Sequence, residues 1–211
     1  MDRTQIANFA LRHIGDAEIN SLDESTEPAR VCKRFFDQSR DEALREHPWN
    51  FSIKRAVLAR LSPAPLFGWN YRYELPVDWL RNIRLNDYEV WDTWQDRFVI
   101  EGREILTNQD EAKIIYVGRV ENPNLFDALF VEALSLKLAS KIAVNLSNSQ
   151  SLKEILITEY NNLIAPMAKR IDSAESRGRR NQFFESSLVD ARQDGGRSGY
   201  TTAADFNFSD Y

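Results

Sequence analysis

Histidine, cysteine and paired carboxylates are the side chains through which this chain could do chemistry. His13 and His47 are its two histidines and Cys32 its single cysteine. A metal site draws several His, Cys or carboxylate ligands together at close spacing, and these three are far apart in sequence. The histidines are read as helix-terminus groups near the last carbonyls of their helices. Cys32 has no partner for an internal disulfide and cannot build a thiolate zinc site alone. Asp37 with Asp41, and Asp92 with Asp96, are the nearest pairs for acid–base work on a glycoside. With 32 acidic residues in the chain, close pairs arise by chance, so solvated helix-face or loop positions are the preferred reading. Neither a P-loop nor a glycine-rich dinucleotide fingerprint occurs. No catalytic, cofactor-binding or metal-ligating residue is expected. The rival kept open is a carbohydrate- or peptidoglycan-degrading protein using a carboxylate pair.

Composition narrows the class. The 211 residues are 43% hydrophobic, enough for a sizeable core. The net charge of −5 is a poor match for nucleic acid, which needs clustered Lys and Arg against phosphates. It also disfavours an anionic membrane surface. A nucleic-acid-binding regulator is therefore a second, weaker rival. Asp127, Glu132, Lys137 and Lys141 interrupt the most apolar stretch, Leu125 to Leu146, so no membrane insertion is expected. The start of the chain has no basic region followed by an apolar signal core, which predicts synthesis in the cytoplasm.

The elements that would position these residues fall into helical and β-rich segments. Asp2 with Gln5 forms a capping-box pattern, Ile6, Phe9, Ala10 and Ile14 share one face, and Gly15 supplies a stop. A second helix starts near Ser25 or Thr26 with Pro28 in its first turn, buries Cys32, Phe35, Phe36, Ser39 and Ala43, and ends before Pro48. Its charged residues read as a solvated face. Short aromatic and β-branched runs follow: Phe51–Val57, Tyr71–Leu75, Asn82–Leu85, Arg97–Glu101, Glu104–Leu106 and Lys113–Val117, with a hairpin near Gly102. All five tryptophans lie in this region. They could stack bases or sugars, but the segment is not basic, and packing or protein contact is preferred. A third helix, apolar on nearly every side, is expected from Asn122–Pro123. A fourth starts at Ser151 with Glu154 as a capping box and is kinked by Pro166. The division is thus a helical body at 1–48 and 119–172, a β-rich module at 49–118 and an extended arm at 173–211. The arm is polar and irregular, punctuated by aromatics, and reads as a segment that orders on a partner.

The order of these segments resembles one family. Leu11-Arg12-His13-Ile14-Gly15-Asp16-Ala17-Glu18-Ile19-Asn20-Ser21-Leu22-Asp23 looks like the N-terminal signature of tail tubular protein A of short-tailed bacteriophages. Ala29, Phe36 and Arg40-Asp41-Glu42-Ala43-Leu44 continue the likeness. So do His47-Pro48-Trp49-Asn50-Phe51-Ser52, Tyr73-Glu74-Leu75-Pro76-Val77-Asp78-Trp79-Leu80 and Asn122-Pro123-Asn124-Leu125-Phe126. Glu18 stands where the family often has proline. The likeness covers about residues 5 to 170.

The resemblance implies a mainly α fold with a β-rich insertion: a four-helix bundle, a small β module and an extended C-terminal tail. It implies a structural virion protein and no enzyme. About twelve copies would form a ring below the portal, in the tail of the virion. That ring would join the portal to the tail nozzle (tail tubular protein B). Tail fibres or spikes are further candidate partners, and DNA would pass through the channel without specific binding. On that reading the arm binds the portal or a neighbouring subunit through Arg177, Arg179, Arg180, Phe183, Phe184, Leu188, Tyr200, Phe206 and Phe208. The nozzle-side interface would use Trp69, Trp79, Trp91 and Trp94.

Overall fold

The computed structural model describes residues 1–86, the backbone of 88–89, and residues 98–176. The chain divides into two compact units, Met1–Ser173 and Ala174–Tyr211, and the architecture below belongs to the first. It is mixed α and β: helices from both ends of the unit enclose a β-rich middle.

Helix α1 (Arg3–Ile14) carries the expected capping box, with Gln5 N–H donating to Asp2 Oδ1 at 2.7 Å. Gly15 ends it at φ 75°, a left-handed geometry that costs glycine little. Helix α2 (Glu27–Glu46) follows Thr26, holds Pro28 in its first turn and stops at His47. Helix α3 (Ala128–Ser147) is buried from Phe130 to Ala143 on nearly every side and packs on α1, α2 and α4. Its start differs from expectation. Asn122–Pro123 opens a separate 3-10 turn, Pro123–Leu125, and Asp127 caps α3 by accepting from Leu129 and Phe130 N–H.

Helix α4 (Gln150–Glu159) is capped by Ser149, whose hydroxyl accepts from Leu152 N–H at 3.2 Å. The expected Ser151–Glu154 box is not the cap. A π-helical turn, Tyr160–Ile164, joins α4 to helix α5 (Ala165–Glu175). Pro166 explains it. Proline has no N–H for the regular ladder and crowds the preceding turn. The wider turn absorbs that strain, and Ala165 N–H donates to Tyr160 C=O five residues back. The expected kink is therefore a π turn placed just before the proline.

Among the described residues, seven strands form two antiparallel sheets. In the first, β1 (Ile53–Val57), β7 (Lys113–Gly118), β3 (Trp79–Leu85) and β4 (Tyr88–Glu89) lie in the order β1-β7-β3-β4. In the second, β2 (Tyr71–Glu74), β6 (Glu104–Thr107) and β5 (Phe98–Glu101) lie in the order β2-β6-β5. Gly102, at φ 59°, makes the turn of the β5–β6 hairpin. Side chains alternate across a strand, and this makes the first sheet a middle layer. Leu80 and Val117 join the helical core on one face. Leu85, Ile114 and Tyr116 join a second core with Tyr73, Leu75 and Ile105 on the other. Trp49, only 1% exposed, anchors the corner after α2 in the helical core. Its indole N–H donates to Ala43 C=O at 2.9 Å, and Phe130 meets the ring edge-on at 5.0 Å. Phe51 and Phe126 complete the aromatic cluster.

Candidate functional site

Among the described residues, three seams of charged and polar side chains bind elements together. The first runs along α2. Arg40, with a side chain 4% exposed, holds Asp37 at 3.0 Å and Asp41 at 2.9 Å. Arg3 of α1 reaches Asp37 at 2.6 Å, and Arg119, just after β7, reaches Asp41 at 2.8 Å. The face read as solvated is thus partly an interior ion-pair seam. An acid–base pair of carboxylates must face a substrate, and Asp37 and Asp41 face arginines.

The second seam gathers on Glu46, near the end of α2. Its carboxylate accepts from Lys137 of α3, from the Tyr160 hydroxyl at 2.6 Å and from Lys169 of α5 at 3.1 Å. Lys141 pairs with Glu42 one turn earlier at 2.7 Å. Burial pushes the Glu46 carboxyl up, but these donors more than offset it, and it stays below the usual carboxylate range. Burial, with the Glu46 hydrogen bond added, pushes the Tyr160 hydroxyl far up. Tyr160 is consequently a fixed neutral donor. The wide turn that Pro166 imposes begins at this residue.

The third seam closes the α2–β1 corner. Asp172 of α5 is 8% exposed. It accepts from the Asn50 backbone N–H at 3.0 Å and lies 2.9 Å from His47 Nε2. The Asn50 side-chain amide returns a bond to Asp172 C=O at 2.9 Å. Burial first, with the nearby positive charges of Lys169 and Arg81, pulls His47 below its ordinary value against the opposing effect of Asp172. His47 therefore does not serve its own helix's carbonyls as expected; it latches α5 onto the turn that leads into the β module. His13 sits by Ser135 and Glu132 of α3, at 3.3 and 3.4 Å. Cys32 is buried, and burial pushes its thiol up to about 12. Among the described residues no group of three His, Cys, Asp or Glu is placed to hold a metal ion. No helix among them is long and apolar enough to cross a membrane.

Apolar surface is also left open. The loop from Leu58 to Asn70 carries Leu66 and Phe67 at 97% and 86% exposure. Trp69, next in the same loop, is half-buried. Trp79 opens β3 and packs against the second core, with its indole N–H buried. Trp79 itself is partly buried, and the exposed apolar tip two and three residues before Trp69 is the feature that sequence reasoning missed. A Pro-Leu-Phe-Gly run reads as an ordinary loop, and only exposure distinguishes it. Trp91, Trp94, Asp92 and Asp96 lie outside the described residues. So do Arg177, Arg179, Arg180, Phe183, Phe184, Leu188, Tyr200, Phe206 and Phe208. No protein-family model matches this chain, and no curated protein sequence matches it.

Proposed function

We propose that this protein is a ring-forming head-to-tail adaptor of a short-tailed bacteriophage, without enzymatic turnover. It would join the portal to the tail nozzle, sit in the virion tail and form part of the channel through which DNA leaves. The observation that carries the reading is a contrast between closed seams and an open tip. The charged groups at helix junctions are engaged with one another, while Leu66 and Phe67 stand in solvent at the end of an anchored loop. Such a division suits a scaffold whose work is done at its surfaces. The order of sequence motifs supports the same reading.

In this reading α1, α2, α3 and the continuous α4–π–α5 rod are the four helices of the family's bundle. The arm at 173–211 binds the portal or a neighbouring subunit. About twelve copies close the ring, with tail fibres or spikes as further partners. A net-acidic subunit suits a channel that must pass DNA without gripping it.

Two assays test the proposal together. The purified chain is incubated with the portal protein that accompanies it, and separately with peptidoglycan and bacterial polysaccharides. The expected outcome is portal binding and no hydrolysis. Hydrolysis that disappears when one carboxylate is replaced, with folding intact, would establish the enzyme instead.

A further inference from the structure

Helix α5 is attached to the body differently from the helices before it. The core-facing stripe of the rod begins with Leu152 and Leu156 on α4 and passes through Tyr160 and Ile164 in the π turn. It ends on α5 with Ala165, Ala168 and Asp172. Large apolar side chains thus give way to two alanines and an acid. The larger apolar side chains of α5 turn elsewhere: Ile171 is 42% exposed and Met167 half-buried. Helix α3 packs extensively on α1, α2 and α4, whereas α5 packs extensively on no other helix or strand.

Polar bridges hold α5 instead. Asp172 accepts from the Asn50 backbone N–H and faces His47 Nε2, and the Asn50 amide donates to Asp172 C=O. Lys169 Nζ donates to Glu46 at 3.1 Å. These partners all lie between Glu46 and Asn50, at the end of α2 and the turn after it. Two alanine methyls bury little apolar area, and such hydrogen bonds replace bonds to water at modest net gain. The π turn supplies a joint, since helices bend at turns of this kind and Pro166 beyond it has no N–H. Its near side is fixed: Tyr160 is 6% exposed and donates to Glu46.

We infer that α5 is a hinged strap, which comes off the α2–β1 corner as a unit about the Tyr160–Ile164 turn while α4 and the rest of the helical body stay folded. Local opening of this kind belongs to elements with little apolar burial. The chain continues from α5 into the arm, so a strap that opens gives the arm a movable root. That last role rests on the adaptor reading; the opening does not.

Thiol labelling of the full chain tests the strap. Ala168→Cys puts a thiol on the covered face of α5, where the native side chain is 1% exposed. Cys32 on α2, 0% exposed, is the reference in the same molecule. The introduced thiol should react at least a hundredfold faster than Cys32. Adding Asp172→Ala should quicken it at least tenfold more. Adding Ile6→Val, a modest loss in the core under α1, should instead quicken Cys32 and leave the introduced thiol unchanged. One rate for both thiols means that α5 opens only with the whole fold, and overturns the strap. Hydrogen exchange of the unsubstituted chain is the second measurement. A detached α5 is too short to keep its helix in water. Amides from Met167 to Ser173 should therefore share one opening equilibrium, at least a hundredfold more open than Leu134 to Ala143 on α3. Protection that declines residue by residue toward Glu175 is end fraying and overturns the inference too. Selective opening without portal binding would sink the adaptor reading alone, and portal binding with equal thiol rates would sink the strap alone.

Discussion

Asp172 is the residue whose role was least visible in sequence and is most specific in the structure. It follows Ile171, the last apolar position of a clean helical stripe, and nothing local distinguishes it from the polar residues beyond. Its partners, His47 and Asn50, lie more than a hundred residues earlier. Long-range pairing of this kind leaves no periodicity to read. Asp172→Ala should cost about 1.5–3 kcal/mol, the usual worth of hydrogen bonds to a charged group. Chemical denaturation against the native chain measures it. The same latch gives a pH signature. His47 has a folded-state value below its unfolded one, so protonation favours the unfolded chain. Stability should hold above about pH 6.5, the unfolded value, and fall as pH drops from there toward the folded value. Glu46 and Asp78 are also held low, so their stabilisation is present above the ordinary carboxylate range and is lost only at more acid pH. His47→Gln should remove the upper step and spare the lower one. A denaturation series from pH 8 to 4 that shows no difference between the two proteins would disprove the assignment.

At the scale of elements, the caps and stops near the N-terminus were legible because each is a local pattern. Asp2, Gln5, Gly15, Pro28 and Pro48 act within a turn or two of their own position. The starts of α3 and α4 were misplaced by a few residues because several Asn, Asp and Ser candidates stand in a row, and only packing selects Asp127 and Ser149. Strands were recognisable from their aromatic and β-branched runs. Their division into two sheets was not, since pairing partners such as β1 and β7 are separated by more than fifty residues. Arg40 shows the same limit on α2: its charge suggested solvent, yet it is buried against Asp37 and Asp41, which Arg3 of α1 and Arg119 after β7 also hold. The end of α5 has a practical consequence. A truncation after Ile171 would delete Asp172 and weaken the corner, whereas a truncation after Ser176 keeps the latch. The chain ending at Ser176 should unfold within about 0.5 kcal/mol of the native chain, and the chain ending at Ile171 should lose about 1.5–3 kcal/mol. Thermal melts of the two truncated proteins compare them directly, and equal melting temperatures would contradict the latch.

At the scale of the whole molecule, the mixed fold was legible in sequence as helices on both sides of a β-rich middle. The candidate site was less so. The tryptophans drew attention by type; Trp49 is buried in the helical core and Trp79 is partly buried against the second core, while Leu66 and Phe67 are among the most exposed apolar side chains of the described residues. Exposure is a property of the folded chain, and no residue type encodes it. If the 177–211 segment is the portal anchor, the chain truncated after Ser176 should stay folded but bind portal at least tenfold more weakly in a sedimentation titration. Undiminished binding would remove the segment from that role. The adaptor account itself is tested most directly by the mass of the full chain with and without its portal, by native mass spectrometry or analytical ultracentrifugation. Without portal, a species near 24.5 kDa is expected, because charged surfaces and single contacts are too weak to close a ring alone. With portal, a complex carrying a full ring of about twelve copies is expected, since a preformed symmetric template supplies the missing avidity. A chain that stays at its monomer mass beside intact portal would contradict the adaptor reading.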